Sequence, residues 1–183
     1  PPRVVFFTPC GESFTQEVAE RLSACDRILF VCGRYEGMDE RAYDLADERL
    51  SIGDYVLTGG ELPALVVSDA IIRLIPGALG NDMGSVDESF STSDDGGLLE
   101  YAQYTRPADF NGSSVPEVLL SGDHARVAAW RRSNAIERTC RWRPDLIDSA
   151  RLTDGERRRA IELIEQFHPG DDQAVSDGEA IDE

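Results

Sequence analysis

The chain contains no lysine; all 18 of its cations are arginines, set against 35 aspartates and glutamates, for a net charge of −17 over 183 residues. An acidic surface of that kind fits a salt-adapted cytoplasm, and only some of the arginines can serve as forks for phosphate or carboxylate. Averaged along the chain, the charge argues against nucleic acid and against anionic membrane surfaces as partners. Histidine is scarce too: His124 and His168 are the only two, and Cys10, Cys25, Cys32 and Cys140 show no C-x-x-C spacing. These counts argue against a structural zinc site and a disulfide framework, and a reducing, cytoplasmic compartment is expected. The most apolar stretch, Leu62–Leu79, is broken by Asp69 and Arg73, so no segment is expected to span a membrane. Neither G-x-G-x-x-G nor G-K-[ST] occurs, which removes the common dinucleotide and phosphate cradles.

What is present is ordinary globular material, 41% hydrophobic and 29% charged, in a length that suits one medium domain or a domain plus a small appendix. Val4–Phe7 reads as a short strand closed by the turn cluster Thr8–Gly11. Phe14, Val18 and Leu22 recur at helical spacing, which predicts a helix over Thr15–Ala24 with Ser13 as its cap. Ile28–Cys32 is a buried-strand run. A helix is expected around Asp39–Arg49, a strand at Tyr55–Leu57, and a helix over Ala64–Leu74 with Pro63 in its first turn. Strands alternating with helices predict an α/β layer with parallel strands. From Gly80 to about Ser114 the composition turns to Asn, Asp, Ser, Gly and Pro, the mark of a linker or functional loop. Asp123–Thr139 reads as a helix, and the capping-box spelling Thr153-Asp-Gly-Glu156 opens another that runs to Phe167. Beyond Pro169 the tail is acidic and is expected to be disordered.

Glycines cluster in Gly33-Arg-Tyr-Glu-Gly37, after the Ile28–Cys32 run, and in Ser51–Pro63, where Gly59-Gly60 opens a helix. Glycines at strand ends let backbone approach a ligand closely, and a helix start offers free N–H groups. Taken alone, such segments are also simply tight turns.

The spelling is more specific than that. Gly33–Gly37 with Asp39-Glu-Arg41, then Ser51–Pro63, Tyr104-Thr-Arg-Pro107 and Val118-Leu-Leu-Ser-Gly122 occur in the order of one family. From about Val4 to Leu146 the chain closely resembles the bacterial tRNA (guanine-N1)-methyltransferases of the SPOUT superfamily, the TrmD family. The resemblance implies a trefoil-knotted, parallel-sheet α/β domain over 1–80 that binds S-adenosylmethionine. It also implies a linker over 81–115, a small all-α tRNA-binding domain over 116–168, and a homodimer whose active sites lie across two subunits. The knot loops correspond to Thr8–Gly11, Gly33–Gly37 and Ser51–Pro63. By position, Phe6, Phe7, Thr8, Pro9, Gly33, Tyr35, Glu36, Ile52, Gly53, Tyr55, Leu57, Gly59, Gly60 and Pro63 would line the cofactor pocket. Tyr35 and Tyr55 read equally as core aromatics, and Glu36 as a capping or salt-bridging carboxylate. Magnesium dependence is a family trait, although no ligand constellation in this sequence supports a protein-held ion.

Methylating guanine N1 requires a base for its proton and a cation for the charge that develops on the ring oxygen. Arg73 occupies the family's arginine position in Ile71–Pro76; alone it reads also as a snorkelling surface residue. The family places an aspartate directly before a Ser-Phe pair. Here Glu88 holds that position, one methylene longer, with Asp87 one residue earlier as the alternative base. The bland reading of both is an acidic loop.

The C-terminal third resolves the charge paradox. Between Arg126 and Arg159 lie ten arginines and five acids, so this window is cationic within an acidic chain. The resemblance makes Arg131, Arg132, Arg138 and Arg143, together with Arg106 of the linker, contacts for the tRNA anticodon arm. Without it, the run reads as a solvated helix face. His124 reads as a helix-start residue. Family members carry several dozen residues before the strand matching Val4–Phe7, so a partial chain is expected. The implied activity is methyl transfer from S-adenosylmethionine to N1 of the guanosine 3′-adjacent to the anticodon. The alternative is a non-catalytic RNA-binding protein that retains the fold.

Overall fold

The computed structural model describes residues 1–35, 37–79, 88–91 and 96–169. Glu36, Asp87 and the tail beyond Pro169, all singled out above, lie outside the described residues. The chain divides into two compact units, Pro1–Ser85 and Val86–Glu183.

In the first unit, β1 (Arg3–Ser13), β2 (Ile28–Val31) and β3 (Glu48–Ser51) form a sheet in the order β2-β1-β3. Both pairings are parallel, as the alternation of strands and helices predicts. Strand alternation splits β1 between two layers. Val5 faces a core shared with Leu50 of β3, Val18, Ala19 and Leu22 of α1 (Gln16–Ser23), and Val67 and Ile71 of α2 (Glu61–Ile72). Phe6, on the opposite face, packs its ring 5.5 Å from that of Tyr43.

Several local expectations need correction. The Thr8–Gly11 cluster does not end β1. Phe7 and Glu12 both oppose Leu50, so the intervening residues form a bulge and the strand resumes beyond them. Gly11 makes the return possible, because a Cβ there would sit 2.5 Å from the Leu50 nitrogen. The cap of α1 is Thr15, whose hydroxyl accepts from the Val18 N–H, while Ser13 closes β1. Only a 3₁₀ turn, Glu40–Leu45, forms where a helix over Asp39–Arg49 is predicted. The third strand is Glu48–Ser51 and not Tyr55–Leu57. Asp47 decides that choice: its N–H donates to the Val4 carbonyl and its carboxylate accepts from the Val4 N–H. Next to it, Glu48 pairs with Arg3 at 2.8 Å and Arg21 at 3.0 Å.

The second unit is built on α4 (His124–Trp142) and α5 (Asp154–Phe167), which bury Ile136, Cys140, Ala160 and Leu163 with Leu98, Ile147 and Ala150. The predicted capping box at Thr153 and Glu156 is formed. Thr139 is completely buried and fully used: its hydroxyl donates to the Ala135 carbonyl at 2.7 Å and accepts from the Leu99 N–H at 2.9 Å. Asn134 accepts from the Ala102 N–H at 2.7 Å, so α4 fixes the segment that precedes it in space as well as in sequence. A short α3 (Glu117–Leu120) follows a hairpin of β4 (Asp109–Phe110) and β5 (Ser113–Ser114). The hairpin turns on Asn111 and Gly112, both at positive φ, the Asn-Gly pairing that a tight two-residue turn favours.

Candidate active site

The bulge of β1, the segment after β2 and the segment between β3 and α2 converge on one cavity of about 260 Å³ in the first unit. Its wall includes Phe7, Thr8 and Pro9 from the bulge, and Gly33 and Tyr35 from the second segment. The third contributes Ile52, Gly53, Tyr55, Leu57, Gly59, Gly60 and Pro63. The cavity is therefore apolar at its sides and lined at its edges with glycine backbone. Two of these glycines have a definite steric reason. A Cβ on Gly60 would sit 2.8 Å from the Cys32 Cα, and one on Gly53, at φ +144, would meet the Tyr55 ring at 2.5 Å. Glycine at these two positions is therefore fixed by the close packing of the segments that form the wall.

The second and third segments are joined to each other. Gly60 donates its N–H to the Gly33 carbonyl at 3.0 Å, Arg34 and Gly59 form an antiparallel bridge, and Arg34 Nε meets Glu61 Oε1 at 2.9 Å. The Glu61 carboxyl is held below the usual carboxylate range, first by its own backbone N–H at the start of α2 and then by Arg34. Burial, with Glu61 adding a smaller effect, pushes the Cys32 thiol up.

One residue expected in the pocket has another position, and the two tyrosines line it without being core aromatics. Phe6 does not line the cavity; it is 3% exposed and belongs to the layer with Tyr43. Tyr35 is 94% exposed, which removes its reading as a core aromatic, and Tyr55 is 58% exposed with its hydroxyl donating to the Ile52 carbonyl. Arg34, Gly37, Met38, Tyr43, Leu50, Ser51 and Val56 also line the cavity. Arg34 and Gly37 lie inside the glycine motif itself and were legible there. Met38 and Tyr43 follow it closely, yet carry no pattern that marks them. Arg73 closes α2 as its C-cap, where the helix dipole favours a cation. It does not line this cavity.

A second cavity, of about 290 Å³, lies within the other unit. Glu88, Glu100, Tyr101, His124, Arg131 and Arg132 bring both charges to it. Arg131 is exposed and stacks its guanidinium 4.6 Å over the Tyr101 ring. His124 is the first residue of α4, with Asp123 as the cap. The remaining arginines differ in what holds them. Arg132 donates to Glu156 and to the Arg151 carbonyl, and Arg138 to the Glu100 carbonyl at 3.0 Å. Arg143 pairs with Asp145 at 2.6 Å, which draws that carboxyl below its usual range. Arg106 is exposed ahead of Pro107. Among the described residues no three His, Cys, Asp or Glu side chains gather as a metal-ion set, and no helix is long and apolar enough to cross a membrane.

A family model described as tRNA (Guanine-1)-methyltransferase TrmD matches residues 1–149. The tRNA (guanine-N(1)-)-methyltransferase of Lactobacillus johnsonii is 52% identical over 161 residues, 88% of this chain and 65% of its own. That of Syntrophotalea carbinolica is 51% identical over 169 residues, covering 92% of this chain and 67% of its own. That of Lachnospira eligens is 56% identical over 148 residues, covering 80% and 61%. The chain thus spans about two thirds of the length of these curated relatives.

Proposed function

The chain belongs to the tRNA (guanine-1)-methyltransferase family TrmD, and from that premise we propose that it transfers a methyl group from S-adenosylmethionine to guanine N1 of tRNA. The target is the guanosine 3′-adjacent to the anticodon. The observation that carries this reading is the cavity of the first unit. Three segments distant in sequence converge there on a largely apolar space, two of them with glycines in its wall. Phe7, Ile52, Leu57 and Pro63 would hold the adenosine by its faces, and main-chain groups of the lining segments would read its edges. The donor supplies an electrophilic methyl on a sulfonium.

The chain's own residues would do the remaining work on the acceptor. Glu88 lines a cavity with Arg131 and Tyr101, which suits a carboxylate taking the N1 proton while the base lies against a flat cationic surface. Arg73 would hold the ring oxygen as negative charge develops on it. The trefoil knot belongs to the same reading. So does the homodimer. Helix α2 buries Pro63, Val67 and Ile71 yet leaves Leu62, Leu65, Val66 and Ile72 exposed, and a group of exposed apolar side chains of this size favours a protein partner.

The test uses labelled S-adenosylmethionine and undermodified tRNA, with and without the target guanine, in the full-length protein. Label confined to guanine-bearing tRNA is the expected result. Absence of transfer while tRNA binding persists would leave the non-catalytic RNA-binding reading in its place.

A further inference from the structure

Tyr35 is the residue of the first unit whose backbone is hardest to account for. Its φ is +62° and its side chain is 94% exposed. A bulky L-residue in the left-handed region is disfavoured by contact between Cβ and backbone, and persists only where the surroundings over-determine it. Packing does not repay the cost, because the ring buries almost nothing. The constraint comes from its neighbour. Arg34 is pinned twice, through its bridge to Gly59 and through the ion pair with Glu61 at the start of α2, while the Gly33 carbonyl accepts from the Gly60 N–H. The chain therefore enters Tyr35 from a residue clamped to the opposite wall of the cavity, which Tyr35 also lines.

We propose that Arg34 and Glu61 form a latch that joins the two glycine segments and holds Tyr35 at the cavity mouth, making both positioning residues for the methyl donor. The proposal rests on the cofactor reading of that cavity. A tyrosine already in place spares the ligand the entropy of ordering it, and the backbone strain is the cost of that preorganisation. The latch is an exposed pair, with side chains 71% and 49% accessible. Such pairs contribute little to global stability, so its loss should be visible in binding while the fold persists.

The experiment measures S-adenosylmethionine affinity by calorimetry, with thermal unfolding alongside, in the full-length protein and its Arg34→Gln, Glu61→Gln and doubly substituted variants. Each single change should weaken binding roughly fivefold, the scale of one exposed ion pair. The double variant should be no weaker than either single, because both changes break the same link. Arg34→Lys, which keeps the charge, should recover part of the loss. Tyr35→Gly should weaken binding while its unfolding midpoint is no lower than the parent's, since glycine accepts the left-handed backbone without strain. Unchanged affinity in the single variants, losses that multiply in the double variant, or losses that follow a falling midpoint would each overturn the latch. Failure of the unsubstituted protein to bind S-adenosylmethionine would instead overturn the cofactor reading beneath it.

Discussion

Arg132 on α4 grips Glu156 on α5 with two hydrogen bonds, of 2.8 and 3.3 Å, and donates a third, of 2.7 Å, to the Arg151 carbonyl. The same carboxylate closes the capping box by accepting from the Thr153 N–H. An arginine that the family resemblance assigns to RNA therefore ties the start of one helix to the flank of another.

This network makes the second unit acid-sensitive. The Arg132 guanidinium, helped by the Thr153 donors, lowers the Glu156 carboxyl to about 2. A depressed carboxyl stabilises the fold fully above its unfolded value, near 4.5, and loses that contribution as pH falls towards about 2. The contribution at neutral pH is on the order of 2–3 kcal/mol. Urea unfolding followed across this range should show a loss of stability that is absent in Glu156→Gln, which is already weakened at neutral pH.

Arg131 and Arg132 are neighbours in sequence but differ in what holds them, one exposed over Tyr101 and the other bonded to Glu156, and their substitutions should separate. Arg131→Gln should weaken tRNA binding and reduce its salt dependence by about one phosphate's worth, with little change in unfolding midpoint. Arg132→Gln should act chiefly on the midpoint. In the parent protein, added salt screens two opposing terms, attraction to the arginine window and repulsion by the acidic remainder. Filter-binding titrations at several salt concentrations, paired with thermal scans, provide the check.

Glu88→Gln should lower methyl transfer by about 10²–10⁴-fold, the usual worth of a positioned proton acceptor. Glu88→Asp should retain activity, and Asp87→Asn should remain close to the parent. Single-turnover rates on undermodified tRNA distinguish these outcomes, and an inactive Asp87→Asn beside an active Glu88→Gln would reverse the assignment.

Gly11→Ala tests the close approach of the β1 bulge to β3. The new methyl would lie 2.5 Å from the Leu50 nitrogen and 2.6 Å from the Arg49 carbonyl carbon, both backbone atoms that cannot swing aside. A loss of about 1–3 kcal/mol is expected, as for other overpacked sites, read as a lower urea midpoint. Gly155→Ala, where no atom lies within 4 Å, should be tolerated.

Local chemistry carried the elements that depend on short-range order. The Thr153–Glu156 capping box and the helical spacing of Val18 and Leu22 form where their spelling puts them. The β2 run forms its strand but not the buried one expected, since β2 stands at the sheet edge with Leu29 exposed. Asn111-Gly112 was equally legible as a hairpin turn within a segment read as linker. By contrast, β3 spells Glu-Arg-Leu-Ser with a single apolar side chain, so no periodicity announces it. It is a strand because Asp47 and Glu48 are bonded to Val4, Arg3 and Arg21 across the sheet, partners more than 25 residues away.

The cavity divides in the same way. Glycine-bearing segments and their family spelling mark Gly33, Gly53, Gly59 and Gly60 from the sequence, because close backbone approach is a property of the residue type. That Phe7 lines the cavity while Phe6 is buried against Tyr43, itself a cavity residue, follows from the alternation of side chains along β1. That Arg131 stands exposed over Tyr101 while Arg132 and Arg138 are spent on Glu156 and the Glu100 carbonyl depends on which partners the folded chain supplies. The sequence determined residue types, charge and local turns. Only the tertiary structure decided which arginines and aromatics remain available to a ligand, because hydrogen-bond partners distant in sequence meet only once the chain has folded.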